Sequence, residues 1–134
     1  MYFIKRGVGS EAVLRSGTFT GVVYGDRAFA EENIAITNVL FTPSARTYWH
    51  SHSGGQLLTV DRGRGLVADR GGEARIIEGS DVVFASAGQE HWHGASPTSF
   101  LLHTSVAMGT TTWLEEVSDA EYQLGLDQAS RRTG

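Results

Sequence analysis

The chain has 134 residues, a net charge of −4 and no cysteine. This length suits one compact domain, and a composition of 40% hydrophobic and 19% charged residues is that of an ordinary globular protein. The acidic balance gives no electrostatic reason to expect a nucleic acid or a membrane as partner, and the lack of cysteine excludes disulfides and thiolate metal sites. We therefore expect a small uncharged or weakly polar organic molecule as the ligand.

The first residues, 1–7, lack the basic start and long apolar segment of a secretory signal. No apolar run approaches the length of a transmembrane helix. The expected location of the protein is therefore the cytoplasm.

Short runs of β-branched and aromatic residues, separated by turn residues, extend from about Asn33 to Ala107. This spacing is typical of an all-β sandwich or barrel. The segments Gly63-Arg64-Gly65 and Arg70-Gly71-Gly72 predict two hairpin turns, since glycine adopts the positive φ angles of tight turns. The predicted strands cover 34–42, 47–52, 56–62, 65–69, 74–78, 81–85, 91–94 and 100–107.

The end of the chain has a different pattern. Ser118-Asp119-Ala120-Glu121 is a capping box, and good helix formers follow it. We predict a short C-terminal helix over about 118–132, packed on the barrel or on a neighbouring subunit.

All five histidines lie between positions 50 and 103. Because alternate residues of a β-strand share a face, His50 and His52 can bind one ion together. Gln56 follows the turn sequence Ser53-Gly54-Gly55, which can direct its carbonyl oxygen back to the same point. With a third imidazole from His91, these residues predict a metal site.

The predicted ligands, three imidazoles and one amide, carry no charge. A divalent ion would keep its full charge in the barrel and act as a strong Lewis acid. Ligand type fits manganese, iron, cobalt, nickel, copper or zinc, and we expect one such ion per chain.

Two further histidines, His93 and His103, are not needed as ligands, because the ion already has four predicted ones. Either could act as a general base beside the cation, or could hold a ligand in place. Strand alternation predicts that Thr47 faces away from His50 unless a bulge intervenes. By the same alternation, the residues on the face of the histidines are Tyr48, Ser105 and Ala107.

The spacing His50-x-His52-x3-Gln56-x6-Gly63, followed by Gly88-x2-His91, resembles the two motifs of the cupin superfamily. Gln56 stands where the motif has glutamate. Other departures are Ser44 and Ser80 at glycine positions, Ser86 at a proline and Ala95 at an asparagine. The resemblance implies a small double-stranded β-helix, a jelly-roll barrel, as a single domain over 1–134 with its metal-bearing core at about 33–107.

Within the cupins, the chain is most similar to the bacterial manganese-dependent hydroxynitrile lyases, the mandelonitrile lyase-like proteins. The similarity lies in residues 43–52, 55–56, 88–95 and 113–122, and in His103. It implies manganese as the ion, an active-site role for the two spare histidines, and a smaller residue where this chain has Tyr48. The metal ligands that it implies are His50, His52, Gln56 and His91, and the pocket positions are Thr37, Val39, Thr47 and Ala107.

Three functions follow as alternatives. The leading one is a lyase that splits a small cyanohydrin, with the metal as Lewis acid and His93 or His103 moving the proton. The second is a non-haem iron dioxygenase of a small ketone, diketone or phenol. The third is a non-enzymatic cupin that binds a small molecule. Sheet edges and the apolar run Phe100-Leu101-Leu102 also favour a homodimer or a larger symmetric assembly.

Overall fold

A computed structural model of the chain describes residues 1–5 and 12–133. Within them the fold is an antiparallel β-barrel followed by one helix, as predicted. No helix in these residues is long and apolar enough to cross a membrane. The elements are β1 (Val13–Arg15), β2 (Phe19–Thr20), β3 (Val23–Glu31), β4 (Ile34–Phe41), β5 (Arg46–Thr47), β6 (His50–His52), β7 (Gln56–Asp69), β8 (Arg75–Glu78), β9 (Val82–Ala85), β10 (His91–Ala95), β11 (Leu101–Met108), β12 (Thr111–Trp113) and α1 (Asp119–Thr133).

The strands follow the order β1-β3-β4-β11-β7-β10-β5-β2. Strands β8 and β9 both pair with β7, while β6 pairs with β10 and β12. The barrel therefore uses strands before residue 33, which lie outside the predicted core. Of these early strands, β3 pairs with β4, and β1 pairs with the other edge of β3.

Strand β7 passes continuously through the position where a hairpin was predicted. Its first half pairs with β11 and β9, and its second half pairs with β10 and β8. Gly63 has φ of 86°, and a Cβ on Gly63 or Gly65 would collide with the carbonyl oxygen of Phe100 or Gly94. The glycines thus allow a bend and a close approach of neighbouring strands, and the predicted turn at Gly63-Arg64-Gly65 is wrong. The other predicted turn is present, with Gly71 at φ of 83° between β7 and β8.

The predicted strand over 47–52 is interrupted. Tyr48 and Trp49 lie outside regular strand between β5 and β6. Trp49 instead exchanges backbone hydrogen bonds with the segment after β12, donating to Glu115 and accepting from Leu114. Strand alternation therefore does not carry over from Thr47 to the histidines of β6.

The apolar residues form two cores. One fills the barrel interior around Val23, Phe41, Val60 and Leu101. The other lies between the barrel and α1, and its larger members are Trp49, Leu66, Trp92, Val117 and Tyr122. Trp49 and Trp92 thus pack in the second core and not on the histidines.

Arg46 joins the barrel to the start of α1. Its guanidinium donates to the carboxylate of Asp119 at 2.8 Å and lies 4.6 Å from the centre of the Tyr122 ring. The capping box is formed, since the backbone N–H of Glu121 donates to Ser118 Oγ at 3.1 Å and the N–H of Ser118 donates to Glu121 Oε1 at 3.0 Å. The helix packs on the barrel as expected.

Candidate metal centre and active site

Neighbouring strands bring distant histidines together. His50 on β6 and His91 on β10 are directly paired across the two antiparallel strands. His93 lies two residues further along β10, and His103 lies on β11, which pairs with β4 and β7. All four are buried, with 0–3% of their surface exposed. Strand pairing thereby places His50 and His91, which are about forty residues apart in sequence, next to each other.

The imidazole rings pack tightly against each other. The centre of the His50 ring is 4.3 Å from that of His91, 5.0 Å from that of His52 and 5.2 Å from that of His93. The potential ligand atoms of His50, His91 and His93 all lie within 4.8 Å of one another. This three-histidine group indicates a site for one metal ion.

Gln56 approaches this group with its carbonyl oxygen. Its Oε1 lies 2.8 Å from His91 Nε2, and its Nε2 donates to Ser105 Oγ at 2.8 Å. The other ring nitrogen of His91 lies 2.9 Å from the Gln89 carbonyl oxygen. A neutral imidazole has only one N–H, so one of these two oxygens faces a nitrogen lone pair. When His91 donates its Nδ1–H to Gln89, the lone pairs of His91 Nε2 and Gln56 Oε1 face each other. A bound cation would satisfy both lone pairs.

His52 presents a free nitrogen to the same region. Its Nδ1 lies 2.9 Å from the Thr111 hydroxyl, and its ring centre is 5.7 Å from that of His91. Within residues 1–5 and 12–133, the buried ring nitrogens without a partner are His52 Nε2, His93 Nε2 and His103 Nδ1. Since buried polar atoms are normally hydrogen-bonded, these nitrogens fit a site that receives an ion and a substrate.

Burial keeps the imidazoles neutral. Burial, helped by the neighbouring His91, lowers the pKa of His50 to about 3, and the same two causes lower the pKa of His52 to about 4. Burial also lowers the pKa of His91, and it holds the pKa of His93 well below its usual range. The neutral form is the one that can bind a metal or accept a proton.

These pKa values predict how the stability of the metal-free protein depends on pH. Histidine in the unfolded chain titrates near its ordinary pKa of about 6.5. Below that pH the unfolded chain binds protons that the buried histidines do not, so folding becomes less favourable as the pH falls. The free energy of unfolding should decrease by about 1.4 kcal/mol per pH unit for each such histidine, between pH of about 6.5 and the lowered values.

Urea unfolding in the presence of a chelator, at several pH values above the range where carboxylates titrate, measures this slope. His103→Gln should have a shallower slope than the unsubstituted protein, because burial lowers the pKa of His103 to about 4. An unfolding free energy that does not change over this interval would contradict the prediction.

His93 and His103 form a hydrogen-bonded pair beside the ligand group. His103 Nε2 lies 3.0 Å from His93 Nδ1, and the Phe41 ring contacts both imidazoles. In a neutral pair one ring donates and the other accepts, so the pair has a defined direction. When His93 donates through Nδ1, its Nε2 carries a lone pair that is available as a base.

A cavity of about 280 Å³ is lined by the His93–His103 pair and by His50, His52 and Gln56. Tyr48, predicted to face it, does not line it: the break between β5 and β6 turns its side chain elsewhere, and its carbonyl oxygen lies 2.8 Å from His50 Nδ1. Thr47 does line the cavity, although alternation predicted that it faces away from His50, because the strand is interrupted between β5 and β6. His91 borders a separate cavity of about 210 Å³. The predicted residues that line the main cavity are Thr37, Val39, Thr47, His50, His52, Gln56, His93, His103, Ser105 and Ala107.

Several residues that line the main cavity were not predicted from the sequence. Phe41 could have been found, because it continues the alternation of Thr37 and Val39 on β4. Arg15 and Arg27 gave no such signal, since they come from strands outside the predicted core. Other missed lining residues are Ser16, Thr18, Phe19, Ala35, Thr111 and Trp113.

Known proteins resemble this chain over most of its length. The chain is 39% identical over 129 residues to the (R)-mandelonitrile lyase of Granulicella tundricola, a match that covers 90% of this chain and 98% of the relative. The crystal structure of a cupin-like protein from Thermotoga maritima is similar with a TM-score of 0.83 and 36% identity, covering 91% of this chain and 96% of that one. A cupin-2 domain from Rhodospirillum rubrum shares the fold with a TM-score of 0.70 and 15% identity, covering 96% and 95%. No family model matches.

The chain belongs to the cupins. With its three-histidine group and its lyase relative, it has the features of a metal-binding cupin enzyme that acts on a small molecule.

Proposed function

We propose that this cupin is a metal-dependent lyase that splits a small cyanohydrin into an aldehyde and hydrogen cyanide, or joins the two in reverse. The observation that carries the proposal is the neutral His93–His103 pair, which lines the same cavity as His50, His52 and Gln56, three of the four predicted metal ligands. The similarity to a mandelonitrile lyase over nearly the whole chain supports the same reaction class.

The proposed metal ligands are His50, His52, Gln56 and His91. Hydrogen bonds from Nδ1 to the carbonyl oxygens of Tyr48 and Gln89 leave Nε2 of His50 and His91 with a lone pair. A bound divalent ion would supply Lewis acidity toward a hydroxyl or carbonyl oxygen. We propose manganese, on the resemblance to the manganese-dependent lyases, with iron, zinc, nickel or cobalt as alternatives.

The proposed base is His93. Its Nε2 has no partner within the described residues, and burial keeps the ring neutral. It would take the hydroxyl proton of the cyanohydrin, the oxygen electrons would form the carbonyl, and the carbon–carbon bond would break with its electron pair leaving on cyanide. His93 would then return the proton to cyanide. His103 accepts the Nδ1–H of His93 and so keeps the Nε2 lone pair directed at the substrate.

Thr47 is placed to hold the substrate. Its oxygen accepts the backbone N–H of His93 at 3.3 Å, so its own hydroxyl hydrogen is available to an oxygen or nitrogen of the ligand. Val39 and Phe41 supply apolar walls that exclude water from the reacting bond.

The lyase is tested in the synthesis direction with benzaldehyde, cyanide and the manganese-loaded protein. Uncatalysed addition gives racemic mandelonitrile, so an excess of one enantiomer reports catalysis in a chiral site. Chelator-treated protein and a protein-free blank are the controls. Racemic product formed at the rate of the blank would contradict the proposal. Oxygen uptake by the iron-loaded protein with ketones or phenols would instead support a dioxygenase, and ligand binding without turnover would support a binding protein.

We also propose that the protein forms a homodimer or larger assembly. The side chains of Val82 and Phe84, two positions apart on β9, are 63% and 59% exposed and form adjacent apolar surface that a second copy of the chain could cover. Of the run Phe100-Leu101-Leu102, Leu101 is fully buried in the barrel core. Light scattering should give a mass of at least two chains, and a monomer at micromolar concentration would contradict the proposal.

A further inference from the structure

The solvent end of the main cavity carries two arginines from the N-terminal strands. Arg27 on β3 is exposed and Arg15 on β1 is half-buried. The inner end, by contrast, is formed by fully buried groups such as His50 and His103. Both arginines line the same cavity as the histidines, so the cavity has a basic entrance.

A β-bulge directs Arg27 into the cavity. Strand pairing changes register between Arg27, which lies opposite Thr37, and Phe29, which lies opposite Ile36. The extra residue, Ala28, changes the face of the strand, so that Arg27 shares the inner face with Thr37 while Phe29 lies with Ile36 on the outer face. Without the bulge Arg27 and Phe29 would share one face.

Arg27 lies close to the ligand group on the scale of a small molecule. Arg27, Thr37 and Ser105 follow one another across three adjacent strands. Two strand spacings correspond to about 10 Å. Ser105 accepts the hydrogen bond of the Gln56 amide, which connects this row directly to the proposed metal site.

Arg15 reaches the cavity across a glycine. A Cβ on Gly25 would collide with the Arg15 guanidinium. Because glycine has no side chain, the Arg15 guanidinium can lie against this position of β3. Gly25 is paired with Val39, and Val39 is paired with His103. Arg15 therefore lies on the row of residues that leads to the catalytic pair.

Among the described residues, no acidic group balances the two charges at this entrance. No described residue that lines the cavity is acidic. In residues 1–5 and 12–133 the arginine ion pairs involve Arg46, Arg64 and Arg70, and neither Arg15 nor Arg27 belongs to one. The net charge of the chain is −4, yet the charged residues that line the cavity within the described ranges, Arg15 and Arg27, are both positive. Such a cavity attracts an anion.

We infer that the substrate carries a carboxylate, which Arg15 and Arg27 bind at the entrance while its hydroxyl or carbonyl group lies at the histidines. The guanidinium group suits this role because its fork of N–H donors matches the two oxygens of a carboxylate. The substrate would then be a small carboxylic acid that also carries an aldehyde or ketone group, or the cyanohydrin of such an acid. The inference rests on the proposed function and replaces the uncharged substrate expected from the sequence.

Two ligands that differ in charge and by one methyl group test the inference. Calorimetric titration of the metal-loaded protein would compare 4-carboxybenzaldehyde with its methyl ester. The acid should bind at least about tenfold more tightly than the ester, the preference expected of paired guanidinium–carboxylate contacts, and added salt should reduce the difference. The double variant Arg15→Gln/Arg27→Gln should bind the two ligands equally.

Arg62→Gln is the matched control, because it removes the same charge from an exposed residue of β7 that does not line the cavity. It should keep the preference for the acid. Arg27 is exposed, so Arg27→Gln alone provides a folded variant if the loss of Arg15 destabilises the barrel, and it should lose part of the preference. A preference that persists in the double variant would mean that the metal binds the carboxylate, and it would overturn the inference. Equal affinity for acid and ester in the unsubstituted protein would overturn it as well.

The lyase proposal and the carboxylate inference can fail separately. If the arginines determine acid binding but neither cyanohydrin is turned over, the lyase is wrong and the anion site stands. If mandelonitrile and its 4-carboxy derivative are cleaved with the same kcat/KM, and the arginine substitutions change neither value, the anion site is wrong and the lyase stands.

Discussion

Replacing His91 by alanine is expected to remove both the bound metal and the lyase activity. His91 is paired directly with His50 and contacts Gln56, so it joins the ligands of two strands at one point. Loss of a group that merely supports a ligand typically costs 10- to 100-fold in metal affinity or activity, and loss of a ligand should cost more than about 100-fold. Elemental analysis after dialysis measures the metal, and the mandelonitrile assay measures turnover.

His103→Gln is the control for this experiment, because His103 is a buried histidine outside the proposed ligand set. It should retain about one ion per chain. A His91→Ala protein that is folded and keeps a full ion would contradict the proposed site.

The same measurement distinguishes two ligand sets. The proposed set contains His52, whereas the three histidines whose potential ligand atoms lie within 4.8 Å of one another include His93 in its place. We expect His52→Ala to lose the metal and His93→Ala to retain it, since the Nδ1 of His93 is engaged by His103 and its Nε2 is needed as the base. The opposite result would assign the ion to His50, His91 and His93.

Substitution of His93 by glutamine is expected to lower kcat by about 10²- to 10⁴-fold, the usual contribution of a positioned general base. Glutamine has no basic nitrogen, so it cannot take the hydroxyl proton. Metal content should stay near one ion per chain. A His93→Gln protein with full metal and undiminished kcat would rule out His93 as the base.

His103 acts through His93, and two substitutions separate its role from a structural one. His103→Gln retains an oxygen that can accept the His93 Nδ1–H, whereas His103→Leu retains only volume. The leucine variant should lose about tenfold or more in kcat with little change in KM, and the glutamine variant should recover most of that loss. Equal activities of the two variants at equal thermal stability would show that the hydrogen bond has no role.

Local signals predicted most of the fold. The strands β4, β9, β10 and β11 and the capped helix α1 follow from alternation and from the capping box, which depend on neighbouring residues. The hairpin turn predicted at Gly63–Gly65 is wrong, because a glycine with positive φ can serve a bend within a strand as well as a turn. What decides between them is the close approach of Phe100 and Gly94 from other strands.

The pocket wall shows the same limit. Thr47 lines the cavity and Tyr48 does not, because the strand breaks where Trp49 enters the second core and bonds to the segment after β12. That packing involves residues more than sixty positions away. Alternation within one segment therefore could not assign these two side chains.

The sequence by itself determined the chemistry that is available: imidazole and amide donors without thiolates, at spacings that place two histidines on one strand face and a third on a distant strand. The tertiary structure decided what this chemistry becomes. Strand pairing brings His50 and His91 together, and burial lowers the histidine pKa values because it removes the water that would stabilise the charged forms. Only the folded barrel brings Arg15 and Arg27 to the cavity entrance, because the bulge in β3 and the space above Gly25 depend on pairing between strands that the sequence does not reveal.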